Sequence, residues 1–286
     1  MDKLSYTVTD DFDEKGILFL LKSALHLTAT LIKKVKFGGV FINGENVHMR
    51  AVVRCGDLVE VFLPEEESEN IRPIPMPLDI IYEDEYIIAV NKPRNMPTHP
   101  SRGNSLPTLA EGVCAYFSPK KFVFRAVSRL DRDTSGIVVI AKDQITSAIL
   151  CDTMKRGGFT KKYDAIIEGA PEKTEGLIDA PIARDVPEGI KRVVRSDGKK
   201  AITKYRVLKV FEDGNSLCEL TLLTGRTHQI RVHMAYIGHP LLGDFLYGNR
   251  DEGAGYMLHA KSVSFPHPYT GQPINLVSDA DFNKDT

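Results

Sequence analysis

The sequence predicts an α+β fold: a mixed, mainly antiparallel β-sheet with flanking helices, preceded by a small α+β module. Three observations predict it. Strand-like apolar runs outnumber helical ones and do not alternate regularly with them, which argues against a doubly wound parallel sheet. An acidic, proline-rich stretch at 64–77 separates a short first segment from a long second one. The chain has 286 residues, 42% hydrophobic and 26% charged, so it can bury a sizeable core and is longer than one average domain.

In chain order, residues 15–36 carry Ile17, Leu18, Leu21, Leu25, Leu27, Leu31, Ile32 and Val35 at a spacing that predicts two short helices. Gly39-Val-Phe-Ile-Asn43-Gly44 then reads as a strand entering an Asn-Gly turn, and Gly56-Asp57-Leu-Val-Glu-Val as a second strand. The stretch at 64–77, with Glu65-Glu66-Glu67-Ser68-Glu69 and Pro73, Pro75 and Pro77, has little to bury and predicts an exposed connector. The expected organisation is therefore a module at 1–64, a linker at 65–77 and a larger domain at 78–286. Beyond the linker, residues 78–84, 86–90, 136–141, 162–167, 203–210 and 217–223 read as strands, and 146–155 as a helix.

Composition narrows the class of protein. Collagen-like, mucin-like and disordered chains do not have this make-up. Apolar runs such as 137–141 fall far short of the roughly 20 residues that span a bilayer, and Met1-Asp2-Lys3 lacks the basic flank of a secretory signal. A soluble cytoplasmic protein without membrane contact is expected. Cys55, Cys114, Cys151 and Cys218 form no CxxC pair, which predicts reduced thiols and no zinc ribbon. With a net charge of −1, any polyanionic partner must be held by a local basic face.

The densest polar cluster is Ser128-Arg129-Leu130-Asp131-Arg132-Asp133-Thr134-Ser135-Gly136, directly before the apolar strand at 137–141. Arginines flank its carboxylates and favour their anionic form, which suits Asp131 or Asp133 to nucleophilic work. Asp, Thr, Ser and Gly are also turn formers, so a plain turn accounts for the same residues. A third reading is magnesium-dependent phosphoryl transfer by Asp131 and Asp133. It requires an apolar strand before the first aspartate, and here the strand follows. His228 and His233 are five apart and lack the spacing of a helical zinc site; they read as structural hydrogen-bonding groups, and no metal is expected.

The cluster resembles the Arg-Leu-Asp-x-x-Thr-Ser-Gly signature of RluA-type pseudouridine synthases, which isomerise selected uridines in rRNA or tRNA without a cofactor. The resemblance runs from about Leu78 to Pro268. Before the signature come Ile81-Tyr-Glu-Asp84, Asn91-Lys92-Pro93, Met96 and His99-Pro100. After it come Lys161-x-Tyr163-x-Ala165, Gly198-Lys199-x-Ala201, the run Thr224-Gly225-Arg226-Thr227-His228-Gln229-Ile230-Arg231-Val232-His233, Gly243-Asp244 and Leu258-His259-Ala260. The resemblance implies a pseudouridine synthase core and assigns roles residue by residue. Asp131 matches the catalytic aspartate, Tyr163 the tyrosine against the uracil, Arg231 the basic residue orienting the aspartate, and Arg129 the arginine that occupies the space of the flipped base. By itself Tyr163, in an alternating strand, is an ordinary core residue.

The first 64 residues resemble the S-four-type RNA-binding module, with Lys33, Lys34 and Lys36 as its remaining phosphate contacts; the Ser-Arg usual before its second helix is His26-Leu27-Thr28 here. Further RNA contacts are expected from Arg132, Arg226, Lys199 and Lys200, within a basic finger that also includes Lys191, Arg192, Arg195 and Lys204. Two departures from the pattern are Ser128, where His is usual, and Asn95, where Gly is usual and where Asn can also adopt a positive φ. The resemblance implies an RNA partner, large-subunit rRNA ahead of tRNA, and a monomer needing no protein partner. An RNA chaperone using the same scaffold without catalysis is the competing reading.

Overall fold

The computed structural model describes residues 3–64, 71–101, 105–120, 122–248, 255–280 and 282. The acidic run Glu65-Glu66-Glu67-Ser68-Glu69 and the start Met1-Asp2 lie outside them.

The first residues build a four-stranded antiparallel sheet from β1 (Lys3–Thr7), β2 (Val40–Ile42), β3 (Glu45–Asn46) and β4 (Leu58–Phe62), in the order β1-β4-β2-β3. Two helices pack on it, α1 (Ile17–Ser23) and α2 (Ala29–Val35), as the apolar spacing predicts. Thr28 caps α2, its hydroxyl accepting from the Leu31 N–H. Asn43 and Gly44 both have positive φ, at 51° and 82°, which is what a two-residue hairpin turn requires. The strand β1 was not anticipated: Lys-Leu-Ser-Tyr-Thr carries a single strongly apolar residue, and its ladder to β4 supplies what its side chains do not.

The large sheet has ten strands. Eight form a path in the order β10-β13-β14-β9-β15-β8-β6-β5, with β16 paired to β15 and β7 to β8. In chain order these are β5 (Ile80–Glu83), β6 (Ile87–Lys92), β7 (Arg125–Ala126), β8 (Ser135–Ala141), β9 (Thr160–Ile167), β10 (Glu175–Asp179), β13 (Ile202–Val210), β14 (Ser216–Leu222), β15 (Leu258–Pro266) and β16 (Pro273–Val277), while β11 (Ile182–Arg184) and β12 (Arg192–Val194) form a separate hairpin. Every pairing in the large sheet is antiparallel except β15 with β8, which is parallel, so the expected mixed, mainly antiparallel α+β architecture is observed.

The helices are α3 (Leu109–Tyr116), α4 (Gln144–Lys155) and α5 (Gln229–Tyr236). Burial on both faces explains why β6 and β8 read as unbroken apolar runs. Ile88, Val90, Val138 and Ile140 join the core under α3 and α5; their neighbours Ile87, Ala89, Ile137 and Val139 join the opposite core with Leu150 of α4. The segment at 71–77 differs from the exposed connector expected of it. Ile71 packs against the large core, and the Ile74 N–H donates to the Glu111 carbonyl of α3. The two units also share apolar packing, since Ile145 of α4 is buried among the residues of α1, α2 and β4.

Candidate active site

The signature residues form the loop between β7 and β8, and a neighbouring segment straps its backbone down. Lys92, at the end of β6, is fully buried and donates from Nζ to the carbonyls of Pro93, Met96 and Arg132 at 2.9, 2.8 and 3.0 Å. The Thr98 hydroxyl donates to the Leu130 carbonyl at 2.7 Å, and the Met96 N–H to that of Arg132 at 3.1 Å. This explains why the Lys92-Pro93 and Met96 motifs accompany the signature: they hold the loop by its carbonyls. Burial pushes the Lys92 ammonium down, to about 7, against the pull of the Asp133 and Asp131 carboxylates. Asn95, in this strap, has φ 55°, the left-handed conformation anticipated for it.

At the end of the loop, Gly136 follows Ser135 in the parallel seam with β15. Its φ is +107°, and a Cβ there would lie 2.4 Å from the Ala260 carbonyl oxygen. Only glycine lets the two strands approach at this point.

Asp131 is one-third exposed, and three side chains converge on one of its oxygens, Oδ2. The Tyr256 hydroxyl donates to it at 3.5 Å; Arg231 Nη1 and His228 Nε2 each lie 3.7 Å away. Tyr256 is buried, and the Thr134 hydroxyl lies 3.1 Å from its own. Arg231 comes from α5, which also carries the site-facing His228 at its N-terminus. The guanidinium lies 4.1 Å from the centre of the Tyr256 ring and 5.0 Å from that of Tyr247.

The planar fork expected to pair with Asp131 pairs instead with Asp244. Nε and Nη2 of Arg231 each lie 2.7 Å from an Asp244 oxygen, in a fully buried bidentate bond that leaves Nη1 for Asp131. Burial opposes the Arg231 cation, but the Asp244 hydrogen bonds outweigh it and raise its pKa further. Asp244 is itself held by the N–H groups of Leu246 and Tyr247.

Tyr163 stands on β9, buried in the same core cluster as Leu130 and Tyr256. Burial and the Asp131 carboxylate push its hydroxyl well above the ordinary range, so it is a neutral phenol. Structure thus brings Asp131, Tyr163 and Arg231 together as expected, from a loop, a strand and a helix. It adds Tyr256, Asp244, Tyr247 and Lys92. Of these, Asp244 and Lys92 lie within motifs quoted above, while the tyrosines give no sequence signal of their own.

The two histidines part ways. His233 is fully buried, bonded to the Thr203 hydroxyl and the Ala180 carbonyl at 2.9 Å each, a structural group as expected. His228, read as structural, faces Asp131. Asp133, the alternative nucleophile, is buried and paired side-on with Arg132 at 2.9 and 3.0 Å. Arg132 therefore engages a carboxylate, while Arg129, two residues before Asp131, is exposed. Among the described residues no group of three or more His, Cys, Asp or Glu is arranged to hold a metal ion.

The other basic residues fall in two places. Lys199, Lys200 and Arg226 are exposed and adjoining: Arg226 Nε donates to the Lys200 carbonyl at 3.0 Å. Lys33, Lys34 and Lys36 lie exposed on and just after α2, where Lys36 stacks on Phe37 and Lys34 Nζ reaches Gln144 of α4 at 3.5 Å. Among the described residues no helix is long and apolar enough to cross a membrane.

Comparison with known proteins identifies the family. The RNA pseudouridylate synthase family matches residues 86–236. The chain is 42% identical over 258 residues to the uncharacterized RNA pseudouridine synthase YjbO of Bacillus subtilis, covering 88% of this chain and 91% of the relative. It is 37% identical over 257 residues to the ribosomal large subunit pseudouridine synthase D of Haemophilus ducreyi, covering 84% and 77%. Among solved structures, human RNA pseudouridylate synthase domain containing 1 superposes with a TM-score of 0.61 at 28% identity, covering 76% of this chain and 87% of that one. A family match across more than half the chain, relatives of this identity along most of its length and the same fold lead to one conclusion: the chain belongs to the RNA pseudouridine synthases, the enzymes that isomerise uridine within RNA.

Proposed function

We propose that this enzyme isomerises specific uridines in structured large-subunit rRNA, with tRNA as the second candidate, and that Asp131 is its nucleophile. The observation that carries the assignment is the convergence of Tyr256, Arg231 and His228 on a single, partly exposed carboxylate in the signature loop. Supporting the substrate class is the similarity to relatives called ribosomal large subunit pseudouridine synthase D. In this reading Asp131 acts on the ribose so that the bond from C1′ to uracil N1 breaks. The base turns in the pocket and rejoins C1′ through C5, and N1 ends with the proton that C5 loses. Nothing is oxidised or reduced overall, so the chemistry calls for no cofactor.

Tyr163 packs against the uracil. The few kcal/mol needed to extrude a base are partly offset by such an aromatic contact. Arg231 orients Asp131, and the exposed Arg129 fills the space the base vacates. Lys199, Lys200 and Arg226 form one phosphate-binding patch, and Arg132 contributes through the face it turns to solvent. Residues 1–64 act as an RNA-binding module through Lys33, Lys34 and Lys36, beside a cleft of about 350 Å³ between α2 and α4 that Arg125 and Lys155 also line. The enzyme works as a monomer in the cytoplasm and needs no protein partner.

The test is site-resolved pseudouridine mapping of total RNA from cells lacking the protein, complemented with wild type or Asp131→Asn. One or a few rRNA pseudouridines should vanish and return only with wild type, while purified Asp131→Asn binds RNA within a few-fold of normal. Restoration by Asp131→Asn would overturn the nucleophile assignment, and loss confined to tRNA sites would overturn the substrate.

A further inference from the structure

His228, like the other two members of the Asp131 cluster, is held from behind by a second hydrogen-bonded chain. Its Nδ1 lies 2.8 Å from the Tyr247 hydroxyl, and that oxygen accepts from the Arg192 N–H of β12, also at 2.8 Å. With the amide already donating to the phenol oxygen, we infer that the phenol in turn donates to Nδ1, the arrangement that leaves a proton for the side facing Asp131. The imidazole proton then resides on Nε2, the nitrogen 3.7 Å from Asp131 Oδ2. Burial pulls the ring below its usual titration range against the opposing pull of Asp131, so it is a neutral donor.

Backbone conformation points the same way. His228 is the N-cap of α5 and has φ 57°, a left-handed conformation that costs a non-glycine residue about 1 kcal/mol. Glycine would occupy that position without strain, yet the side chain there is an imidazole with a partner on each nitrogen.

All three donors meet Oδ2, and none of the described protein groups donates to Oδ1. We propose that His228 is a positioning residue for Asp131. Its Nε2–H, in the tautomer that Tyr247 sets, holds Oδ2 and leaves Oδ1 as the oxygen offered to the ribose. The proposal rests on the reading of Asp131 as nucleophile and extends it to a named oxygen and a named tautomer. At 3.7 Å the Nε2–Oδ2 contact is longer than a hydrogen bond, and the proposal has it shorten as the reaction proceeds, as catalytic hydrogen bonds commonly do.

The test is single-turnover pseudouridine formation by purified enzymes on total RNA from cells lacking the protein, with RNA affinity and thermal stability measured alongside. Displacing a reacting group by about 1 Å can cost on the order of 100-fold, so His228→Ala should lower the rate about 30- to 100-fold at unchanged RNA affinity. His228→Gln, whose amide nitrogen can stand where Nε2 stands, should recover to within about 5-fold of wild type, and Tyr247→Phe, which frees the tautomer, should lose about 5-fold. A His228→Ala enzyme as fast as wild type overturns the proposal. So does a Gln variant no better than Ala, which would make the ring a packing group, or a defect found wholly in RNA affinity. A wild-type enzyme that forms no pseudouridine on this RNA would instead overturn the function on which the proposal is built, and a fully active Asp131→Asn would overturn its nucleophile.

Discussion

Arg231 shows how a residue can be legible in the sequence while its bonding is not. Its place near Asp131 follows from motif resemblance, but its main partner is Asp244, 13 residues away and fully buried. A lysine keeps the charge and loses the fork, so it can satisfy only part of the Asp244 carboxylate and cannot also reach Asp131. Arg231→Lys should lower the rate of pseudouridine formation on the order of 100-fold and cost about 1–3 kcal/mol of stability in denaturant titration. A variant equal to wild type in both would show that the fork does not seat the guanidinium. Asp131, Tyr163 and Arg231 could be nominated in advance because each lies in a motif of the family the chain resembles, although Tyr163 alone reads as an ordinary core residue. Tyr256 and Tyr247 could not: a tyrosine near a turn is commonplace, and what makes these two part of the site is contact with residues far off in sequence.

Among the elements, those with a continuous apolar run or a clear alternation were readable, and the two eight-residue helices α3 and α5 were not. The continuous runs of β6 and β8 and the alternation of β9 identified these strands. Helix α5 escaped, because Gln229, Arg231 and His233 are buried within only eight residues and erase the apolar stripe by which a helix is recognised. Helix α3 is equally short and carries Gly112 on its buried side. The parallel seam of β8 and β15 was invisible for a different reason, since pairing between residues more than 120 apart leaves no local pattern. Its mark in the sequence is Gly136. Gly136→Ala should cost at least about 2 kcal/mol, because the backbone is left-handed and the added carbon meets a carbonyl that belongs to the ladder. Thermal unfolding of the variant checks this, and an unchanged midpoint would mean that the strands can part without penalty.

For the molecule as a whole, Lys92 couples stability to pH. Folding moves its ammonium from the ordinary 10.5 down to about 7, so between these values the unfolded chain holds more protons than the folded one. Stability therefore rises with pH from about 7 towards 10.5, and below 7 the cost of burying the ammonium is present in full. Denaturant titrations across that range should show the rise in wild type and a flatter profile in Lys92→Met, which should itself be less stable because three carbonyls lose their donor. A rise of equal size in the Met variant would assign it to other groups. The prolines and acidic residues at 64–77 led to an exposed connector being expected, whereas Ile71 and Ile74 engage the larger core and α3. That Ile145 completes the core of the first unit was not readable, since an apolar residue on a helix does not announce which partner it meets.

The order of strands bears on when such an enzyme comes into being. Strand β15 lies between β8 and β9, although both are synthesised well before it, and Tyr256 precedes it by two residues. Without β15, β8 and β9 have no ladder to join them, and no strand pairing links the segments that carry Asp131 and Tyr163. Non-local pairing of this kind is slow to form. Completion of the proposed cleft thus depends on β15 taking its place between β8 and β9.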